Sequence, residues 1–147
     1  MTDGYEWQHE VYPKWRDMGY TGVVKGVTGS GKTVAGCIAL SQYLADHPNS
    51  TVLIVTPRQE INRQWEQELE RFGINATVYG YYKAVSQYAQ GKLPPVDVVI
   101  ADECHALLTP QQGRVLDYHS GAILGLSATP DGAEELLGGV IAPPLLT

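Results

Sequence analysis

The segment GVTGSGKT, Gly26 to Thr33, is the place in this 147-residue chain where residue type and spacing first specify a chemistry. It fits the pattern GxxxxGK[ST] at Gly26, Gly31, Lys32 and Thr33, after an apolar run and ahead of a segment of helical period. Gly29 and Gly31 permit positive φ, which turns the amides of Thr28 to Gly31, Ser30 included, inward around a phosphate. The free amides and positive dipole end of the following helix add to that cradle. Lys32 would reach the β- and γ-phosphates of ATP as a point charge, and the Thr33 hydroxyl would ligate Mg²⁺. A plain glycine-rich turn would match this pattern by chance only about 10⁻³ times in a chain of this length.

The second chemical signal is VDVVIADECHAL, an apolar run that ends in Asp102 and Glu103. Carboxylates at the carboxyl end of a buried parallel strand sit on the edge where α/β proteins bind ligands. There, Asp102 can hold Mg²⁺ and Glu103 can orient and deprotonate an attacking water. Alone, such a pair could equally open a solvated loop; with a phosphate loop upstream, it completes a nucleotide site.

Both signals need a scaffold, and short apolar runs alternating with helical segments predict one: an α/β fold with a mostly parallel sheet flanked by helices. Strands are expected at Gly22 to Lys25, Val52 to Thr56, Thr77 to Tyr79, Val96 to Ala101 and Ile123 to Ser127. A helix from Thr33 to Ala45 should turn Val34, Ile38 and Leu44 or Ala45 to the sheet, ending at the polar turn Asp46 to Ser50. Thr56, Pro57 and Gln59 read as capping threonine, first-turn proline and capping-box glutamine of a helix that Gly73 stops after Phe72. Thr109, Pro110 and Gln112 repeat that device. Trp65 lies on the apolar face with Ile61 and Leu69, so it reads as core rather than a base-stacking platform. Tyr79, Tyr81 and Tyr82 read as strand-end packing.

Ten basic against sixteen acidic residues leave a net charge of −6, which disfavours tight, sequence-independent nucleic-acid binding except through a local patch. Cys37 and Cys104 have neither CxxC spacing nor a histidine at zinc spacing, and read as buried free thiols. No run approaches the roughly 20 apolar residues of a membrane span, and the polar, acidic start is unlike a signal peptide. A soluble cytoplasmic protein is expected.

Asp102, Glu103, Cys104 and His105 spell DECH, and the chain resembles the first RecA-like domain of superfamily 2 helicases, a three-layer phosphate-loop fold. Val27 to Thr33 resemble motif I, Thr56 to Arg58 motif Ia, DECH motif II, and Ser127, Ala128 and Thr129 motif III. The LGLSATP form and the pair Gln64 and Trp65 are most similar to type III restriction subunits, repair translocases and phage branch-migration helicases. This resemblance implies that His105 relays nucleotide state to Ser127 and Thr129. It also implies that Gln8, in YEWQHEVYPKW, recognises adenine, and that Thr56 and Arg58 touch a nucleic-acid backbone, DNA rather than RNA. A helix start bearing a hydroxyl and a guanidinium suits phosphate, although Thr56 is also the expected cap.

The expectation is therefore a helicase ATP-binding domain over residues 1–147, with the second RecA-like domain absent from this chain and supplied in cis or in trans. Joined to it, the domain would couple ATP hydrolysis to nucleic-acid unwinding or remodelling. The alternative is a nucleotide-dependent binding or regulatory module that does not turn over.

Overall fold

A computed structural model describes residues 6–25, 30–92, 96–104, 119–127 and 140–141. In chain order these form α1 (Glu6–Asp17), β1 (Thr21–Lys25), α2 (Ser30–Asp46), β2 (Val52–Thr56), α3 (Gln59–Phe72), β3 (Thr77–Gly80), α4 (Tyr81–Ala89), β4 (Val96–Asp102), β5 (His119–Ser127) and β6 (Val140–Ile141). The strands make one sheet in the order β3-β2-β4-β5-β1-β6, with every neighbouring pair parallel. The expected α/β fold with a parallel sheet is therefore present. Among the described residues no helix is long and apolar enough to cross a membrane.

Strand periodicity divides the core into two layers. Val24, Ile54, Ile100 and Leu124 pack with Val11, Trp15, Leu40 and Trp65 from α1, α2 and α3. Val23, Leu53, Val99 and Ile123 face the other way and pack with Tyr81 and Ala84 of α4. Burial on both faces explains why these strands read as continuous apolar runs.

Several details differ from expectation. Burial on α2 extends to Ala35, Cys37, Ile38, Ala39, Leu40 and Tyr43, while Val34 and Leu44 are half-buried and Ala45 is exposed. With neighbours α1 and α3 as well as the sheet, this helix is covered on most of its circumference, so a single apolar stripe does not describe it.

The cap of α3 is Arg58, in extended conformation and without a side-chain capping bond. Thr56 instead ends β2, fully buried, and its hydroxyl donates to Asn62 Oδ1, with the Arg58 carbonyl 3.4 Å away. The capping box fails because the strand retains its threonine and the helix begins later. The stop at Gly73 is as expected, with φ 69°, and its amide donates to Glu70 O.

Helices α1 and α4 and strand β6 were not anticipated. The positions Gln8, Val11, Tyr12 and Trp15, all buried, have the i, i+3, i+4, i+7 spacing of a helix, which Pro13 inside α1 obscures. Tyr81 and Ala84 give α4 its buried face, whereas Tyr82 is 79% exposed, against the packing role expected of it. Val140 and Ile141 pair with Val23 and Val24 of β1. The helix expected from Thr109 to about His119 lies outside the described residues except at its end, where His119 begins β5 instead.

Two outcomes test this packing. Burial pushes both Cys37 and Cys104 up to about 12, so the native protein at pH 8 should leave both thiols unlabelled by Ellman's reagent, and unfolding should release both. Because an added Cβ at Gly73 would meet no atom within 4 Å, Gly73→Ala tests backbone conformation alone. It should lower stability by about 1 kcal/mol, read as an earlier urea midpoint at unchanged slope.

Candidate nucleotide site

The carboxyl ends of β1 and β4 carry the two chemical signals, and β5 runs between them. Register sets Lys25 beside Ser127 and Asp102 beside Leu126, so the end of β5 sits between the strand leading to the phosphate loop and the strand ending in the acidic pair. Parallel strands of equal reach thus bring together side chains some seventy positions apart in sequence.

Lys32, in the first turn of α2, is buried, and its ammonium lies 3.2 Å from Asp102 Oδ1 and 3.0 Å from Glu103 Oε2. Burial pulls the pKa of this amine down, but the charges of Asp102 and Glu103 more than reverse that, leaving it above its ordinary value. Thr33, one residue on, is buried at the same place. Glu103 has φ 53°, a left-handed conformation unusual for a residue with a side chain, so the chain turns sharply as it leaves β4. Its side chain is 27% exposed, whereas that of Asp102 is 2% exposed.

Asp102 is held from three sides. Its Oδ2 accepts a 2.8 Å hydrogen bond from the Trp65 indole Nε1, and its backbone carbonyl accepts one of 3.0 Å from the Tyr81 hydroxyl. The third neighbour is the Lys32 ammonium. Oδ1 accepts no hydrogen bond although it is fully buried. It meets Lys32 as an ion pair and keeps lone pairs for a further cation.

Among the described residues no group of three or more His, Cys, Asp or Glu side chains could hold a metal unaided. One buried carboxylate with a spare oxygen, next to a buried threonine hydroxyl, instead suits Mg²⁺, which takes few protein ligands and completes its shell with phosphate oxygens and water. The residues present therefore fit Mg²⁺ and a polyphosphate.

An open cleft of about 190 Å³ is lined by Lys32, Thr33, Asp102 and Glu103 and, from α3, by Arg58, Ile61 and Gln64. A second cleft, of about 360 Å³, lies between the starts of α3 and α4 and is lined by Arg58, Asn62, Tyr79, Tyr82 and Lys83 among others. Arg58 borders both. Its side chain is 69% exposed and stands 3.8 Å from Glu60. Of the two residues expected to touch a nucleic-acid backbone, Arg58 presents its side chain to solvent and Thr56 does not.

Gln8 is buried in α1, and its amide Nε2 donates 2.9 Å to the carbonyl of Gly31. It thereby fastens α1 to the start of α2. Ser127 is buried at the end of β5. The backbone of Ser30 begins α2. Thr28, Gly29, His105, Ala128 and Thr129 lie outside the described residues.

Sequence reasoning thus reached Lys32, Thr33, Asp102 and Glu103 but missed two residues that hold Asp102. Trp65 was rightly assigned to the core, yet its hydrogen bond to Asp102 Oδ2 went unforeseen. The available signal was its type: a buried indole carries an N–H that needs an acceptor, which leucine or phenylalanine would not. Tyr81 offered the same signal through its hydroxyl.

Residues 3–92 match the family described as type III restriction enzyme, res subunit. The chain is 28% identical to a relative from Haloarcula marismortui that carries the name DNA 3'-5' helicase Rad25, over 97% of this chain and 25% of the relative. It thus spans about a quarter of that relative's length. In fold it is similar to the Pyrococcus furiosus Hef helicase domain, with a TM-score of 0.68 and 16% identity, over 84% of this chain and 32% of that one. It is also similar to the Sulfolobus solfataricus SWI2/SNF2 ATPase core solved in complex with dsDNA, with a TM-score of 0.71 and 14% identity, over 90% and 34% of the respective chains. The UvsW helicase of bacteriophage T4 gives a TM-score of 0.71 at 14% identity, over 95% of this chain and 60% of that one. The fold is the RecA-like fold of these helicase domains. By the match over most of its length, the chain belongs to the type III restriction enzyme res-subunit family of helicase-type proteins.

Proposed function

We propose that this domain is the ATP-binding half of a DNA helicase or translocase motor, acting with a second RecA-like domain in cis or in trans. The observation that carries this reading is the buried ammonium of Lys32 between Asp102 and Glu103 at the carboxyl edge of the sheet. Both carboxylates mark this ammonium as the cation of the site, on the edge where α/β proteins take their ligands.

Lys32 would meet the β- and γ-phosphates, and Thr33 and Asp102 would hold Mg²⁺. When bound, Mg²⁺ would supply positive charge against the charge developing on the phosphates. Glu103, more exposed than Asp102, would orient the attacking water and take its proton. Thr28, Gly29, Ser30 and Gly31 surround the phosphates, and Gln8, already fixed on the Gly31 carbonyl, stands ready for adenine. His105, Ser127, Ala128 and Thr129 relay nucleotide state toward the partner domain.

Arg58 and the exposed Tyr82, on the second cleft, are assigned to DNA, the guanidinium to phosphate and the ring to bases. That surface is local and small, in keeping with the overall charge of −6. The family match and the helicase named as a relative support this reading, as does the likeness in fold to a core solved with dsDNA.

Calorimetry tests the nucleotide half: the chain should bind ADP with Mg²⁺, and Lys32→Ala should weaken that at least about tenfold through loss of the phosphate-facing charge. Equal affinity of the two proteins would remove the assignment of the loop. The DNA half is open to fluorescence anisotropy with labelled duplex at varied salt. Arg58→Ala should weaken binding and flatten the salt dependence by about one counterion, with ADP affinity unchanged. An unaltered salt slope would place the DNA elsewhere.

A further inference from the structure

We infer that Trp65 is a positioning residue for the Asp102 carboxylate: its buried indole N–H pins Oδ2, so that Oδ1 faces Lys32 and the phosphate side. This inference rests on the reading of Asp102 as the carboxylate that holds Mg²⁺.

Three observations carry it. The indole is fully buried, and its Nε1 donates to Oδ2 over 2.8 Å, while Oδ1 accepts no hydrogen bond and stands 3.2 Å from the ammonium of Lys32. A carboxylate rotates easily about its last bond, and a single well-placed donor fixes which oxygen points where. The indole is itself fixed, because Gly36 of α2 leaves just enough room for it. A Cβ at position 36 would stand 2.7 Å from Trp65 Cη2 and 3.3 Å from Cζ3, closer than packed atoms tolerate. The same Cβ would lie 3.4 Å from Leu126 Cδ1, on the strand beside Asp102, so the ring has little space to withdraw.

Core filling alone does not explain the choice of residue. A phenylalanine would fill most of that space and bring no polar atom to satisfy. What tryptophan adds is the N–H, aimed at one oxygen of the one fully buried carboxylate of the site.

The test is a Mg²⁺ titration of ADP binding to the whole chain. For Trp65→Phe, binding of ADP without Mg²⁺ should stay within twofold of the unaltered protein. The Mg²⁺ concentration for half-maximal enhancement should rise about tenfold, the usual effect of losing a group that orients a metal ligand. Gly36→Ala, which displaces the ring but keeps its N–H, should shift the titration in the same direction. In the unaltered protein, the Trp65 indole N–H signal in a ¹H–¹⁵N spectrum should move when Mg²⁺ is added with ADP.

A folded Trp65→Phe with an unchanged Mg²⁺ titration overturns the inference. Should that variant fail to fold, an unchanged titration for Gly36→Ala, or an indole signal that does not move in the unaltered protein, overturns it as well. If the unaltered protein binds ADP without any dependence on Mg²⁺, the underlying reading of Asp102 falls too, an outcome distinct from a Mg²⁺-dependent protein indifferent to Trp65.

Discussion

Placing the ammonium of Lys32 in a buried position requires negative charge within a few ångströms, because an unpaired ion there would cost a large share of a small domain's stability. Asp102 and Glu103 provide that charge from the end of β4, and the rest of the architecture follows from bringing them to the start of α2. The strand order separates β1 from β4 by β5 alone, which gives the width needed for one lysine to reach two carboxylates. The net upward shift of the lysine's pKa shows which influence prevails: the neighbouring charges outweigh desolvation.

The supports of Asp102 come from elements on opposite faces of the sheet. Trp65 reaches it from α3 in one core layer and Tyr81 from α4 in the other. Both are core residues by burial, and both spend their one polar hydrogen on the same residue. The division between residues that build the fold and residues that serve the site therefore breaks down at this strand end.

Local chemical demands were legible in the sequence, and long-range ones were not. A phosphate cradle needs glycines, a lysine and a hydroxyl at fixed spacing, and the acidic pair needs the end of a buried strand, so Lys32, Thr33, Asp102 and Glu103 could be found from pattern alone. The central strands were readable because burial on both faces makes them uniformly apolar. Helix α1 was hidden by Pro13, and α4 by a run of tyrosines whose individual burial differs widely, from Tyr81 to Tyr82. The threonine at the end of β2 deceived for a physical reason: its hydroxyl can cap a helix or bond a neighbouring side chain, and only the tertiary position of Asn62 decides between these. The bond from Trp65 to Asp102 joins positions on different elements, and no local pattern encodes it.

Helix α1 precedes every helicase motif in the chain, yet it is woven into the layer that those motifs occupy. Gln8 donates to Gly31, the Trp15 indole donates to Ile123 O of β5, and Tyr12 joins Tyr20 and Asp46 across the far end of α2. Tyr20, Tyr43 and His47 pack their rings around the same corner. The folding unit thus begins well upstream of the residues by which such domains are usually delimited. A boundary drawn from the motifs, just ahead of the phosphate loop, would cut through the hydrophobic interior and strand polar groups on α2 and β5. Any exchange of this domain between proteins would have to carry those first turns along with it.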